Sequence, residues 1–290
     1  MCKWLVWDPD RIAFTLPFLN HPIMWYGVLF TMGFLVGFYI FVTLCKRLMF
    51  YYPECIINNN VENRAKVFSE RLSIYVVIST VIGARLGHLI FYEKWTDYLL
   101  HPLEIVKIWE GGLASHGAAI GILIGIAFFY YKNRRKLEII TLPRILDLLV
   151  IPALFAGTLI RMGNFINQEV LGIRTTLPWA ITFMHPADGS EPAPRHPAQL
   201  YEALFYLGVF LLLLRLFPNM IRYPGRLSGI FFILTFTFRF CIEFIKEEQS
   251  FLFSHQLFTM GQLLSIPMIL LGVGLCLTHT IKRRQGNRSI

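Results

Sequence analysis

Ile145-Leu-Asp-Leu-Leu-Val-Ile-Pro-Ala-Leu-Phe-Ala-Gly-Thr-Leu-Ile160 is an apolar run that gives way without a break to Arg161-Met-Gly-Asn-Phe-Ile-Asn-Gln-Glu169. The second stretch places a guanidinium, carboxamides and a carboxylate where a membrane-spanning stretch ends. Charged groups at membrane depth cost about 2.5–3.5 kcal/mol each on insertion scales, so a cluster of them marks a functional site by default. The chemistry suits an anionic head group. Arg161 can fork two N–H donors onto a phosphate, and the Asn164 and Asn167 amides can donate to ester or glycerol oxygens. Gly163 removes a side chain where a ligand or another backbone approaches. The plainer alternative is a helix-end arginine snorkelling to water beside a capped turn.

The rest of the chain supports a membrane setting. Of 290 residues, 55% are hydrophobic and only 16% are charged, with a mean hydropathy of +0.54. That is too apolar for an ordinary soluble domain and points to a polytopic membrane protein. The segment Ile23 to Cys45 carries no formal charge and is too long for the core of a cleavable signal, so none is expected. The five cysteines (Cys2, Cys45, Cys55, Cys241 and Cys276) show no CxxC spacing. They read as small core residues rather than as a metal site or disulfide frame. Cys2 has no apolar run before it in this sequence and is not expected to be the lipidation cysteine of a secreted lipoprotein.

Hydropathy predicts seven spans, roughly 23–45, 72–92, 111–131, 145–160, 199–217, 227–245 and 257–281. The gaps on one side hold sixteen Lys and Arg residues and those on the other side hold eight. The positive-inside rule then puts the N-terminus outside and the C-terminus in the cytoplasm, as an odd number of spans requires. The expected fold class is therefore an all-α polytopic membrane protein of seven transmembrane helices with a small extracytoplasmic head and arms. One integral-membrane domain is expected over 1–290, its head formed by about 161–198. The net charge of +9 is mostly topology plus attraction to the anionic inner leaflet, and nothing indicates nucleic-acid binding. Within the head, Leu177–Phe183 is expected as an edge strand and the proline-rich His185–Pro197 as extended chain. Segments 1–22 and 93–110, with Trp4, Trp7, Trp95 and Trp109, read as interfacial helices or arms.

Other polar residues interrupt the apolar spans. Arg239 and Glu243 are four apart in span six, which puts them on one helix face, either as a mutual pair or as a functional arginine held by its glutamate. Gln199, Tyr201 and Glu202 follow Arg195-His196-Pro197 and form a second polar shelf, serving as helix cap or substrate contact. His116 lies among glycines in Gly111-Gly112-Leu113-Ala114-Ser115-His116-Gly117, open to a ligand or a close helix contact. A neutral imidazole there can accept a proton near pH 7. Arg85, with Asp147 as a possible partner, reads as structural. Tyr26, in Trp25-Tyr26-Gly27, places a phenol at the outer end of span one.

Together these segments resemble the prolipoprotein diacylglyceryl transferase family of bacteria. The matching blocks are Trp25-Tyr26-Gly27, Gly83-Ala84-Arg85-Leu86-Gly87, Trp109-Glu110-Gly111-Gly112-Leu113 with Ser115-His116-Gly117, Arg161 through Glu169 with Gly172, Arg195-His196-Pro197 with Gln199-Leu200-Tyr201-Glu202, Arg239-Phe-Cys-Ile-Glu243-Phe244, and Met260-Gly261-Gln262 with Ser265-Ile266-Pro267. The resemblance implies seven helices with arms and a head in the bacterial cytoplasmic (inner) membrane, the active site facing the outer leaflet. It implies transfer of the diacylglyceryl group of phosphatidylglycerol to the lipobox cysteine of a prolipoprotein, giving a thioether and glycerol 1-phosphate.

Carried over residue by residue, Arg161 corresponds to the family's phosphatidylglycerol-binding arginine. Asn164, Asn167, Glu169 and Gly172 complete the pocket; Arg239, Glu243 and Tyr26 match essential residues; His116 matches the histidine proposed as base. Whether His116 or an arginine-polarised network activates the thiol stays open. No metal or cofactor is implied. The chain departs from the pattern at Ala118, where a second glycine is usual, and at Thr235, where some members carry tyrosine. An alternative reading of the same arginines is a transporter or flippase of an anionic phospholipid, for which inverted repeats or broken helices are expected.

Overall fold

The computed structural model describes residues 4–17, 20–52, 60–91, 112, 114–136, 140–247 and 259–286. Among the described residues seven α-helices dominate: α1 (Trp25–Tyr51), α2 (Val61–Phe91), α3 (Ser115–Asn133), α4 (Leu142–Asn167), α5 (Ala198–Met220), α6 (Arg226–Ile242) and α7 (Met260–Gly286). Six helical stretches among them are long and apolar enough to cross a membrane, whereas the apolar part of α3, Gly117–Asn133, falls short of that length. Five short strands accompany the helices: β1 (Leu5–Trp7), β2 (Ile12–Leu16), β3 (His21–Met24), β4 (Ile181–Phe183) and β5 (Pro194–Arg195). The chain divides into two compact units, one formed by Met1–Phe41 with Leu146–Ile290, the other by Val42–Ile145.

In the second unit α2 packs against α3. Gly83 and Gly87 face Gly117 and Gly121 so closely that a Cβ on Gly87 would lie 2.6 Å from the Gly117 Cα. Small residues substitute for the missing hydrophobic drive between helices in lipid, because close backbones gain dispersion contacts. The Ala114 amide donates to the Ala84 carbonyl at 2.9 Å, which ties the start of α3 to the same stretch of α2. Arg85 donates to the Gly112 carbonyl at 3.2 Å, in keeping with a structural role.

In the first unit α6 and α7 cross where Gly229 meets Gly272. Phe205 of α5 stacks on Phe238 of α6 with centroids 3.9 Å apart. Asp147 of α4 is buried and caps α6, accepting from the Gly225 and Ser228 amides at 2.6 and 2.7 Å and from the Ser228 hydroxyl at 2.7 Å. A carboxylate there satisfies donors that the first turn of a helix leaves open and complements its dipole.

The head differs from the expectation in two ways. Helix α4 does not end at Ile160 but continues through Asn167. Its polar last turns are held by contacts from other elements, so loss of hydropathy is not loss of helix. Of the two forms expected for the N-terminal segment, helix or arm, the described residues take the extended one, with strands Leu5–Trp7, Ile12–Leu16 and His21–Met24, while 93–110, with Trp95 and Trp109, lies outside the described residues. Second, Leu177–Phe183 is not an edge strand. Only Ile181–Phe183 is extended, and it is central, parallel to β1 on one side and antiparallel to β5 on the other. Of the proline-rich stretch, Pro194–Arg195 pairs as β5, and turns precede it. Phe165, Leu171, Ile181 and Phe183 form a small core with Trp7 and Leu200 against it. The Trp7 ring stacks on Phe165 at 4.4 Å while its N–H donates to the Phe165 carbonyl at 3.0 Å, which fastens β1 to the end of α4.

Candidate functional site

Helical spacing brings Arg161 and Asn164 onto one face of α4, and Arg161 Nη1 donates to Asn164 Oδ1 at 3.0 Å. The helix then reverses sharply. Gln168 and Val170 both take positive φ, 56° and 59°. For a β-branched residue this is a true outlier, with a cost on the order of 1–3 kcal/mol. The surroundings enforce it: Gln168 accepts from the His185 amide at 2.7 Å and its carbonyl accepts from Ala187 at 2.9 Å, while Gln199 donates to the Glu169 carbonyl at 2.7 Å. The reversal turns the Glu169 carboxylate back onto the helix end. Its Oε1 accepts from Asn164 Nδ2 at 2.7 Å and from Asn167 Nδ2 at 3.4 Å. One chain of contacts thus runs from guanidinium to amide to carboxylate.

Glu202, fully buried in the second turn of α5, anchors the other side of Arg161. Its Oε2 stands 2.9 Å from Arg161 Nε, and its Oε1 accepts from Lys246 Nζ at 3.0 Å. Lys246 is only 7% exposed at its side chain. Burial pulls its ammonium below the ordinary lysine range, and nearby Arg161 adds to this, while Glu202 opposes it. The Tyr206 phenol faces Arg161 and Glu202, and Arg239 lies within its electrostatic reach.

Backbone pairing places Lys246. Gly172 bridges Lys246 in antiparallel fashion; the Ile173 amide donates to Ile245 O at 2.9 Å and the Glu247 amide to Leu171 O at 3.0 Å. On its other side the Gly172 amide donates to His196 O at 3.2 Å. Three segments meet here, and a Cβ at 172 would lie 2.6 Å from the His196 Cβ and 2.9 Å from Ile245 O. That close approach is why the position is glycine. Arg195, 1% exposed, is locked beside this junction by Glu247 and by Ser190 Oγ at 2.9 Å. Gly163 serves Tyr26 in a similar way: a Cβ there would meet the tyrosine ring at 2.8 Å. The Tyr26 hydroxyl lies within electrostatic reach of Glu169 and Arg161.

Six of the expected site residues, Tyr26, Arg161, Asn164, Asn167, Glu169 and Gly172, therefore gather at the end of α4. Arg239, in the last turn of α6, lies within electrostatic reach of Tyr206. Arg239 and Glu243 do lie one turn apart on one helical run: Glu243 is the C-cap of α6, in helical conformation, its amide donating to the Arg239 carbonyl, and a 3-10 turn carries the run to Ile245, but no ion pair joins the two side chains among the described residues. The Glu243 carboxylate turns instead to the start of α7, against Gly261, where a Cβ would fall 2.6 Å from the carboxylate carbon, and it acts on Lys246. His116 is the second residue of α3, in the other unit, and its side chain is outside the described residues. Lys246 and Tyr206 were not legible as site residues. Tyr206, one helical turn after Glu202, carried a signal in its i, i+4 spacing; Lys246 carried none, because its place depends on a ladder with residues far away in sequence.

Fold and site together define a multi-pass helical membrane protein with a buried, amide-lined cluster of paired charges at one helix end. The family described as Prolipoprotein diacylglyceryl transferase matches residues 11–278 of the chain. Among curated relatives, a protein named phosphatidylglycerol–prolipoprotein diacylglyceryl transferase from Tolumonas auensis is 38% identical, over 94% of this chain and 96% of its own. Proteins of the same name from Protochlamydia amoebophila and Chlamydia trachomatis are 35% and 37% identical, over 93% of this chain and 93% and 96% of theirs. The chain belongs to the prolipoprotein diacylglyceryl transferase family.

Proposed function

We propose that this protein transfers the diacylglyceryl group of phosphatidylglycerol to the lipobox cysteine thiol of a prolipoprotein. The cysteine sulfur attacks the glyceryl carbon, the carbon–oxygen bond to phosphate breaks, and glycerol 1-phosphate leaves with the electron pair while the thiol proton is lost. The observation that carries this reading is Arg161, braced between Glu202 and Asn164 at the end of a membrane-spanning helix in a chain of this family. Charge collects on the departing phosphate, and a guanidinium already fixed in place stabilises it without reorganisation.

In this reading Arg161 holds the phosphate, with Arg239, within electrostatic reach of Tyr206, as a second cation. Asn164 and Asn167 orient the head group, Glu169 fixes both amides, and Gly172 keeps the junction close. Tyr26 lies over the same helix end, and Glu243 steadies the start of α7. A free thiol has a pKa near 8.5, so a base or a positive field must help form the thiolate. His116, or the arginine network, supplies that help. The chain spans the bacterial inner membrane seven times, with the basic loops and the C-terminus in the cytoplasm and the site toward the outer leaflet; the excess of Lys and Arg on one set of loops supports this.

The test incubates purified protein with phosphatidylglycerol and a lipobox peptide. Thioether product together with glycerol phosphate is the expected result. Movement of lipid without a covalent product would overturn the proposal in favour of a transporter.

A further inference from the structure

Lys246 is a buried cation to which the proposed chemistry gives no task. Its neighbours suggest one. Glu202 divides its two oxygens between Arg161, at 2.9 Å, and Lys246, at 3.0 Å. A phosphate entering the fork of Arg161 competes with Glu202 for that guanidinium. If Arg161 were the only partner of Glu202, every weakening of their contact would strand a fully buried carboxylate, which is strongly unfavourable. The second cation removes this obstacle.

Charge balance points the same way. Among the described residues, Arg161 and Lys246 pair with Glu202, Glu243 acts on Lys246, Glu169 holds Asn164, and Arg239 lies within electrostatic reach of Tyr206, so three cations accompany three carboxylates, while Arg195 and Glu247 balance each other. Without Lys246 the cluster carries a net negative charge toward an anionic lipid. The backbone ladder of 245–247 on 171–173 holds the lysine at this point, immediately after the turn that ends the Arg161–Glu169 segment.

We propose that Lys246 is a positioning residue for lipid binding: it keeps Glu202 neutralised while the Arg161 guanidinium transfers its grip to the lipid phosphate. The inference rests on the reading of Arg161 as phosphate ligand. Binding of phosphatidylglycerol by the purified full chain in neutral detergent, without peptide, is measured beside turnover with a lipobox peptide. Lys246→Met should raise the KM and the Kd for the lipid by about tenfold, the size of one lost charge-assisted contact, with little change in kcat. Lys246→Arg should restore both. Adding Glu202→Gln to Lys246→Met should recover lipid affinity, because the unpaired carboxylate is gone. An unchanged KM in Lys246→Met, or a double variant no better than it, overturns the inference.

Should Lys246→Met fail to fold, wild type and Lys246→Arg decide. Glu202, Arg161 and Glu243 face the lysine in both proteins, so a difference in their binding curves between neutral pH and about pH 10 isolates its proton. Wild-type affinity should fall with rising pH while that of Lys246→Arg holds; parallel curves overturn the inference. Arg161→Ala separates the two levels. If it binds lipid like wild type, the phosphate reading itself fails, whereas loss in Arg161→Ala beside normal affinity in Lys246→Met removes only the role of the lysine.

Discussion

Asn164 is the residue whose replacement should be most informative about the site. It is 6% exposed and uses both ends of its amide, accepting from Arg161 at 3.0 Å and donating to Glu169 at 2.7 Å. Asn164→Ala deletes two hydrogen bonds to charged groups, each worth about 1.5–3 kcal/mol. The two share partners and are not additive, so a loss of about 3–4 kcal/mol is expected, which is on the order of 10²- to 10³-fold in kcat/KM. Asn164→Asp has the same size and keeps the acceptor for Arg161. It sets a second carboxylate at hydrogen-bond distance from Glu169, where both cannot stay ionised. At neutral pH it should therefore do no better than alanine. The assay is steady-state transfer to a lipobox peptide, with thermal unfolding in detergent as the control for folding. Wild-type turnover in Asn164→Asp, or a fall of less than about threefold in a folded Asn164→Ala, would refute the guanidinium–amide–carboxylate chain as the organising element.

Other expectations test neighbouring parts of the structure. Gly172→Ala should lower the unfolding midpoint by an amount corresponding to about 1–3 kcal/mol of overpacking, since a Cβ would meet both His196 and Ile245; unchanged stability and activity would contradict the three-segment junction. Asp147→Ala should destabilise the chain by about 1–2 kcal/mol through loss of the α6 cap, with Asp147→Asn retaining part of it, as read by thermal unfolding. The lowered Lys246 titration carries a sign. Above the folded-state value and up to that of an ordinary lysine, the unfolded chain holds a proton that the folded one has lost, so this group makes stability rise with pH in that window. A flat difference between wild type and Lys246→Met across that window would show that burial of the ammonium is not felt.

Much of the architecture follows from composition read along the chain. Transfer free energy into a bilayer is a sum over consecutive residues, so the apolar runs announce helices whatever surrounds them: each predicted run overlaps a described helix, and six of those helices are long and apolar enough to cross a membrane. The polar break at Arg161 is visible for the same reason: residues so costly at the end of an apolar run call for an explanation. Helix limits are less legible. Hydropathy ends at Ile160, but α4 continues to Asn167 because Glu169, Glu202 and Trp7 satisfy groups that its polar turns expose.

What a local pattern cannot hold is the choice of partner. Arg239 and Glu243 had the spacing of an ion pair and the helical run does carry both, yet the carboxylate turns to Gly261 of α7. Nothing near β4 announced that the N-terminal strand would lie parallel to it, and nothing near Lys246 announced Glu202. A buried charge takes whichever opposite charge the backbone ladders bring within reach, and those ladders join segments far apart in the chain. Residue-by-residue energies thus identify the membrane helices and the polar cluster, while the pairing of its charges is decided only when the tertiary structure closes around them.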